Sequence, residues 1–155
     1  MRRDKAVKFF KLTRYMADIF SKDPSRKVGC MLLAPDSLQI LSLGYNGFPR
    51  GVDETKEERW KRPAKYQFVQ HSECNALCNA CRSGIGTEGS IAVITLYPCC
   101  GCCRSLIQAG IETIVTQTPD FEDPNWGEEF KVSKVMLEEA GVTMMFIDDA
   151  ELTEV

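Results

Sequence analysis

The first part of the chain contains two kinds of hydrophobic pattern, one typical of a helix and one typical of strands. Between residues 4 and 20, apolar side chains recur every three or four positions, which predicts an amphipathic helix. Pro24 ends that pattern, and short apolar runs follow at residues 27–34 and 38–46. Because only the tripeptide PDS separates these two runs, we expect them to form an antiparallel hairpin.

The second half of the chain alternates between helical and strand patterns. Helices are predicted at residues 71–84, 99–110 and 125–141, and strands at residues 90–98, 111–117 and 142–148. Strand-helix-strand alternation implies right-handed crossovers and parallel pairing. We therefore expect an α/β fold of three layers, α/β/α, in which helices cover both faces of a five-stranded mixed sheet. One domain over residues 1–155 is sufficient for this architecture.

A long polar connection, residues 47–70, separates the hairpin from the helix that follows it. Connections of this length inside a compact domain are uncommon, so we expect this one to be functional or partly ordered by a short helix of its own. Most of its charges are typical of a solvated surface.

Composition and charge narrow the class of protein. The chain has 44% hydrophobic and 26% charged residues, which is typical of a globular domain. Charged residues such as Lys8 and Lys11 interrupt any apolar segment of a signal peptide, so we expect a cytoplasmic protein without a membrane partner. In that reducing compartment the eight cysteines are expected to be thiols or metal ligands. The net charge of -3 disfavours a polynucleotide partner.

Two segments carry residues suited to metal chemistry. His71, the chain's one histidine, precedes Glu73 by two positions at the predicted start of a helix. The stretch PCCGCC, residues 98–103, begins the next predicted helix, one strand later. Both helix starts can meet at one end of the sheet, where an imidazole and two thiolates would make a catalytic zinc site with an open position for water. The helix dipoles would favour thiolates there, and Glu73 could transfer protons.

The cysteine-rich stretch allows two Cys-x-x-Cys pairs, Cys99 with Cys102 or Cys100 with Cys103. Pro98 fixes the backbone before the helix and presents Cys99 at its first turn, whereas Cys100 is rotated about 100° further round. This favours Cys99 and Cys102 as the ligands of one zinc ion, with Cys103 as a small core residue.

Three further cysteines, Cys74, Cys78 and Cys81, share a helical stripe with Leu77. The spacing predicts that this stripe is buried and that its thiols are free. A second, structural zinc with cysteine or carboxylate ligands is the alternative.

The segments SKDPSRKVGC, GYNGFPRG, HSECNAL and TLYPCCGCCRSLIQAGI occur in this order, and the chain from about residue 8 to 147 resembles the deoxycytidylate (dCMP) deaminases. The resemblance implies a cytidine-deaminase-like fold and hydrolysis of dCMP to dUMP and ammonia, which feeds thymidylate synthesis. It also implies that His71, Cys99 and Cys102 bind zinc, which activates water for attack on C4 of cytosine while Glu73 transfers protons. Family members form hexamers and many respond to dCTP and dTTP, so a homo-hexamer with such effectors, accompanied by Mg²⁺, is expected.

Substrate contacts also follow from the resemblance. Asn46 in GYNG matches an asparagine that contacts the sugar and the base, although Asn-Gly also suits a tight turn. Ser72 stands where the family usually has alanine, beside the pyrimidine carbonyl. Arg26 and Lys27 lie in a loop that could hold the 5′-phosphate, and solvated surface charge is their alternative role.

Two other functions stay open from the sequence. The first is another zinc deaminase, acting on cytidine, dCTP or a tRNA base, and the acidic pI argues against tRNA. The second is a non-catalytic zinc module, in which His71, Cys99, Cys102 and another cysteine close the coordination shell around the metal.

Overall fold

The computed structural model describes residues 1–153; residues 154 and 155, which the single-domain prediction includes, lie outside the described residues. The helices are α1 (Arg3–Phe20), α2 (Lys65–Phe68), α3 (Ser72–Arg82), α4 (Cys100–Gln108), α5 (Gly127–Glu139) and α6 (Asp149–Thr153). The strands are β1 (Gly29–Leu33), β2 (Ile40–Tyr45), β3 (Ile91–Ile94), β4 (Thr113–Gln117) and β5 (Thr143–Ile147). A turn of 3-10 helix spans Glu57–Trp60.

The five strands form one mixed sheet in the order β2-β1-β3-β4-β5. β1 pairs antiparallel with both β2 and β3, whereas β3, β4 and β5 pair in parallel. The predicted hairpin and the predicted parallel half are therefore confirmed. Each residue of β1 and of β3 is buried, as expected for central strands covered on both faces.

Helices cover both faces of the sheet, which confirms the predicted three-layer α/β/α architecture. On one face, α1 buries Ala6 and Phe10 against side chains that include Met31 and Val93. On the other face, α3, α4 and α5 enclose a second core. That core includes Cys30, Leu32, Ala76, Ala80, Ile94, Cys103, Leu106, Ile114 and Leu137.

The prediction of a buried cysteine stripe on α3 is wrong. Cys78 and Cys81 are exposed, and Cys74 is half-buried. The residues of this helix that lie in the core are small ones, Ala76 and Ala80, which are fully buried. The spacing correctly indicated a helix, but the more hydrophobic stripe is not the one that packs on the sheet.

The close approach of α3 to β2 explains this choice of face. Gly44 of β2 lies so near the helix that an added Cβ would collide with the backbone of Ser72 and Ala76. The hydroxyl of Ser42 also donates a hydrogen bond to the Ala76 carbonyl oxygen, at 2.7 Å. Small side chains are needed along this contact, so the bulkier cysteines are turned outward.

The structure matches the sequence pattern of the polar connection and differs from the predicted elements in two places. The polar connection is partly ordered, as expected, by a 3-10 turn and α2, while α6 was not predicted. The strand predicted at residues 90–98 ends at Ile94, because the chain then leaves the sheet toward the start of α4. No helix within residues 1–153 is both long enough and apolar enough to cross a membrane.

Candidate active site

Two helix starts meet at one end of the sheet. His71 immediately precedes α3, and Cys99 immediately precedes α4. The two helices lie side by side on the same face, with β3 between them in the chain. The structure therefore brings the His-x-Glu and Pro-Cys-x-x-Cys segments together, and both place the positive end of a helix dipole at the site.

One imidazole nitrogen and two sulfurs form a compact cluster. His71 Nδ1 lies 3.5 Å from Cys99 Sγ and 3.4 Å from Cys102 Sγ, and the three ligand atoms all lie within 4.8 Å of one another. Ligands of tetrahedral zinc, bound at about 2.0–2.3 Å, are themselves separated by about 3.5 Å. The donor types and their spacing thus fit a zinc ion bound by three protein ligands.

The alternative pair of cysteines points away from this cluster. Cys100 Sγ lies 3.3 Å from the carbonyl oxygen of Glu129, and Cys103 Sγ lies 3.6 Å from that of Ser133. Both acceptors belong to α5, so this pair contributes to helix packing. The fully buried Cys103 is the core residue that the sequence predicts.

The cluster is charged even without a metal ion. The hydrogen bond with Cys99 raises the pKa of His71 to about 9. Contact with the Cys102 thiol lowers the pKa of Cys99 to about 4, while the pKa of Cys102 is raised well above its usual value by its thiol neighbours and by burial. One thiolate therefore sits beside an imidazolium, and binding a dication would release the remaining protons.

Glu73 is a buried carboxyl group beside this cluster. It is 4% exposed, and its Oε2 accepts a hydrogen bond of 2.9 Å from the Ser72 hydroxyl. Burial raises the pKa of Glu73. A carboxylate that takes up a proton more readily than usual, and that faces the same cavity as His71 and Cys99, suits proton transfer.

A cavity of about 200 Å³ opens over these residues. Its lining includes His71, Glu73 and Cys99. Aromatic side chains also line it, and the Trp126 ring lies 6.1 Å from the His71 ring and 6.4 Å from the Tyr66 ring, both in edge-on geometry. The cationic side chains in its lining are Arg26, Arg62 and Lys65.

Asn46 lines the cavity while also holding its wall together. Its amide nitrogen donates to Asp23 Oδ2 and to the Arg26 carbonyl oxygen, both at 2.9 Å. Its amide oxygen accepts from the Ser21 hydroxyl at 2.7 Å and from the Val28 N–H at 2.9 Å. These bonds give Asn46 a structural role, and its contact with a sugar or base stays a prediction.

The two predicted phosphate contacts separate in the structure. Arg26 lines the cavity, but Lys27 is not part of its lining. Lys27 Nζ instead donates to the carbonyl oxygen of Asp18, at 2.7 Å, on the side of α1. Sequence reasoning missed Arg62 and Lys65 as cavity residues, because the charges of the 47–70 connection were interpreted as solvated. The unusual length of that connection was the one signal pointing to them.

Fold and cluster together are those of a zinc-binding α/β enzyme, and comparison with known proteins specifies the family. The model of the cytidine and deoxycytidylate deaminase zinc-binding region matches residues 3–118. The chain belongs to the cytidine and deoxycytidylate deaminase family.

Two relatives support the same family, and a solved structure shares the fold. An uncharacterized deaminase in the luxG 3′ region of Aliivibrio fischeri is 35% identical over 144 residues, covering 92% of each chain. The deoxycytidylate deaminase of Mus musculus is 30% identical over 141 residues, covering 87% of this chain and 75% of the mouse protein. The structure is also similar to the dCMP deaminase of cyanophage S-TIM5 in complex with dCMP and dUMP. That likeness has a TM-score of 0.76 and 23% identity, and covers 95% of this chain and 99% of the phage chain.

Proposed function

We propose that this chain is a zinc-dependent enzyme that hydrolyses dCMP to dUMP and ammonia. The observation that carries the proposal is the buried Glu73 carboxyl beside the His71, Cys99 and Cys102 cluster, in a cavity whose lining also includes Arg26, Arg62 and Lys65. The similarity to the mouse deoxycytidylate deaminase supports dCMP as the substrate. The product, dUMP, would serve thymidylate synthesis.

The roles of the side chains follow from their placement. His71, Cys99 and Cys102 would hold the zinc ion, which when bound activates a water molecule for attack on C4 of cytosine. Glu73 would accept a proton from that water and deliver it to N3 of the ring, then accept the proton of the hydroxyl group left on C4 and deliver it to the departing amino group. Its burial favours this exchange because the raised pKa brings the acid and base forms closer in energy at neutral pH.

Substrate binding would use the rest of the cavity. Asn46 and the backbone of Ser72 are proposed to face the sugar and the pyrimidine carbonyl, and Arg26 to face the 5′-phosphate. Lys27 would reach the phosphate only after its ammonium group leaves the Asp18 carbonyl oxygen, to which it donates on the side of α1.

We further propose a single domain over residues 1–155, a homo-hexamer, regulation by dCTP and dTTP with Mg²⁺, and a cytoplasmic location. Light scattering and assays with each effector nucleotide test the assembly and its regulation.

Zinc content and turnover, measured on the same samples, test the proposed function. The wild type should hold about one zinc ion per chain and convert dCMP faster than deoxycytidine or dCTP. Glu73→Gln should keep the zinc and lose activity by about 10²–10⁴-fold. Full activity of Glu73→Gln would contradict the catalytic role, and a preference for dCTP or deoxycytidine would contradict the substrate. A non-catalytic zinc module would bind the metal and turn over none of the three.

A further inference from the structure

An ion pair lies in the lining of the same cavity as His71 and Cys99. Asp23 is 2% exposed, and its Oδ1 lies 2.8 Å from Lys65 Nζ. The side chain of Lys65 is 12% exposed, and both residues line the cavity. Burying two charges is costly in free energy unless each is paired and hydrogen-bonded, so this pair requires an explanation.

Asp23 is held by a dense set of hydrogen bonds. Its Oδ1 also accepts from the Ser25 N–H and hydroxyl, both at 2.9 Å, and from the Arg26 N–H at 3.2 Å. Its Oδ2 accepts from Asn46. Burial alone would raise the pKa of Asp23, but these donors together with Lys65 lower it, so the carboxylate is ionised at neutral pH. One side chain thus joins the loop before β1, the end of β2 and helix α2.

The ammonium group of Lys65 is fixed by the same network. It donates to Asp23 Oδ1 and to the Ser25 hydroxyl. An ammonium group has three protons, and these two bonds leave the third to donate into the cavity that Lys65 lines. Two anchors hold the flexible four-carbon side chain in one geometry, so little rotamer entropy is lost when a ligand binds.

We propose that the Asp23–Lys65 pair is a specificity device, in which Asp23 positions the Lys65 ammonium group to bind the 5′-phosphate of the substrate. The inference rests on the proposed function and extends it to residues of the 47–70 connection. Lys65 is the binding residue and Asp23 the positioning residue. The role of the long connection is then to carry a phosphate-binding cation to the rim of the active site.

Substitution of Lys65 tests the phosphate contact directly. Lys65→Met should raise KM for dCMP far more than it lowers kcat. It should also reduce the ratio of kcat/KM for dCMP to kcat/KM for deoxycytidine by tenfold or more. Lys61→Met, at an exposed lysine four positions earlier, is the matched control and should change that ratio by less than twofold. An unchanged ratio in Lys65→Met would overturn the proposal.

Substitution of Asp23 distinguishes a positioning role of this residue from an effect of its negative charge alone. Asp23→Asn keeps the shape and the amide oxygen acceptor but removes a negative charge from the cavity. If Asp23 acted only through its charge, the variant would bind dCMP more tightly, because the repulsion between the carboxylate and the phosphate is removed. A positioning role predicts the opposite. The ratio of kcat/KM for dCMP to kcat/KM for deoxycytidine should fall threefold or more, because Lys65 loses a hydrogen-bond partner that holds it in place. A rise in the ratio would overturn the positioning role of Asp23.

Phosphate binding provides a readout that is independent of deamination. Calorimetric titration of the zinc-loaded wild type with inorganic phosphate should give binding that Lys65→Met weakens at least tenfold, with circular dichroism used to verify that the variant is folded. If dCMP is not turned over but Lys65→Met loses phosphate binding, the proposed function fails, while the assignment of Lys65 as a phosphate-binding residue stands. If the folded variant binds phosphate as the wild type does, the inference fails whatever the substrate.

Discussion

Two groups of cysteines, one at the start of α4 and one along α3, contain members in opposite environments. At the start of α4, Cys102 and Cys103 are buried, and Cys102 faces the His71 imidazole. Along α3, Cys78 and Cys81 have the same i, i+3 spacing as Cys99 and Cys102, but both are exposed. Residue type and periodicity are alike in the two groups, so they do not decide which sulfurs become ligands.

The difference lies in what each helix packs against. α4 contacts α3 on one side and α5 on the other, so its flanks are covered by protein. α3 lies over β2, the edge strand, and over β1, so its far side is open to water. Position in the layer therefore decides the environment of these cysteines, and each half of the comparison can be tested by substitution.

The largest expected effect is on metal binding. Cys102→Ser should lose zinc and lower deamination by more than about 10³-fold, because a neutral hydroxyl is a poor substitute for a thiolate ligand. Cys81→Ser, the matched change on α3, should keep both. Atomic absorption and a dCMP assay on the same samples measure the effect. If Cys102→Ser retained zinc, or if Cys81→Ser lost it, metal binding would not distinguish the cysteines of α4 from those of α3.

The next effect is on stability and concerns the contact that turns the α3 cysteines outward. Gly44→Ala should lower the free energy of unfolding by about 3 kcal/mol, since the new methyl group collides with backbone atoms that cannot rotate away. Gly86→Ala is the control, because a Cβ there meets no atom within 4 Å. Urea denaturation gives both values. A Gly44→Ala protein as stable as the control would show that the close approach is not needed.

That contact also marks the limit of sequence-based prediction. The helices and strands were predicted because their hydrophobic periods are strong and local, and Pro98 with the cysteine spacing indicated which sulfurs meet His71. The buried face of α3 was missed because it depends on Gly44, a residue of another strand. Hydrophobic periodicity indicates the apolar side of a helix. A glycine on a facing strand allows a close approach, and only the small side chains of the helix fit at that contact.

Two cationic side chains of the cavity lining, Arg62 and Lys65, were missed for a related reason. Residues 47–70 have no hydrophobic period, and their path depends on tertiary contacts. These include the antiparallel bridge between Gly47 and Gln70 and the stacking of the Phe48 and Trp60 rings at 4.3 Å. Local sequence does not encode such contacts, so the position of Lys65 became visible only with the fold.

A smaller effect is expected where α4 meets α5. Cys103→Ser should lower the free energy of unfolding by about 1 kcal/mol, because a more polar group enters the core but can still donate to the Ser133 carbonyl oxygen. Cys78→Ser, on the exposed side of α3, should change it by less than about 0.5 kcal/mol. Thermal denaturation of both variants measures the difference. Equal values would mean that the core around Cys103 is loose enough to admit the hydroxyl without loss.

The smallest expected change is in the rate at which Cys99 is alkylated, which should hardly depend on pH. In chelator-treated, metal-free protein the pKa of Cys99 is lowered to about 4 by its contact with Cys102, so its sulfur is a thiolate throughout the neutral range. Its alkylation by iodoacetamide should therefore change by less than about twofold between pH 6 and 8. Free cysteine, with a pKa near 8.5, should react roughly 70-fold faster at the higher pH.

Mass spectrometry of peptides from a timed digest gives the Cys99 rate, with the exposed Cys81 followed in the same samples. Restoring zinc should protect Cys99 and leave Cys81 reactive, because the metal would bind one sulfur and not the other. A Cys99 rate that rose with pH as steeply as that of free cysteine would contradict the thiolate. The two groups of cysteines would then differ in exposure but not in chemistry.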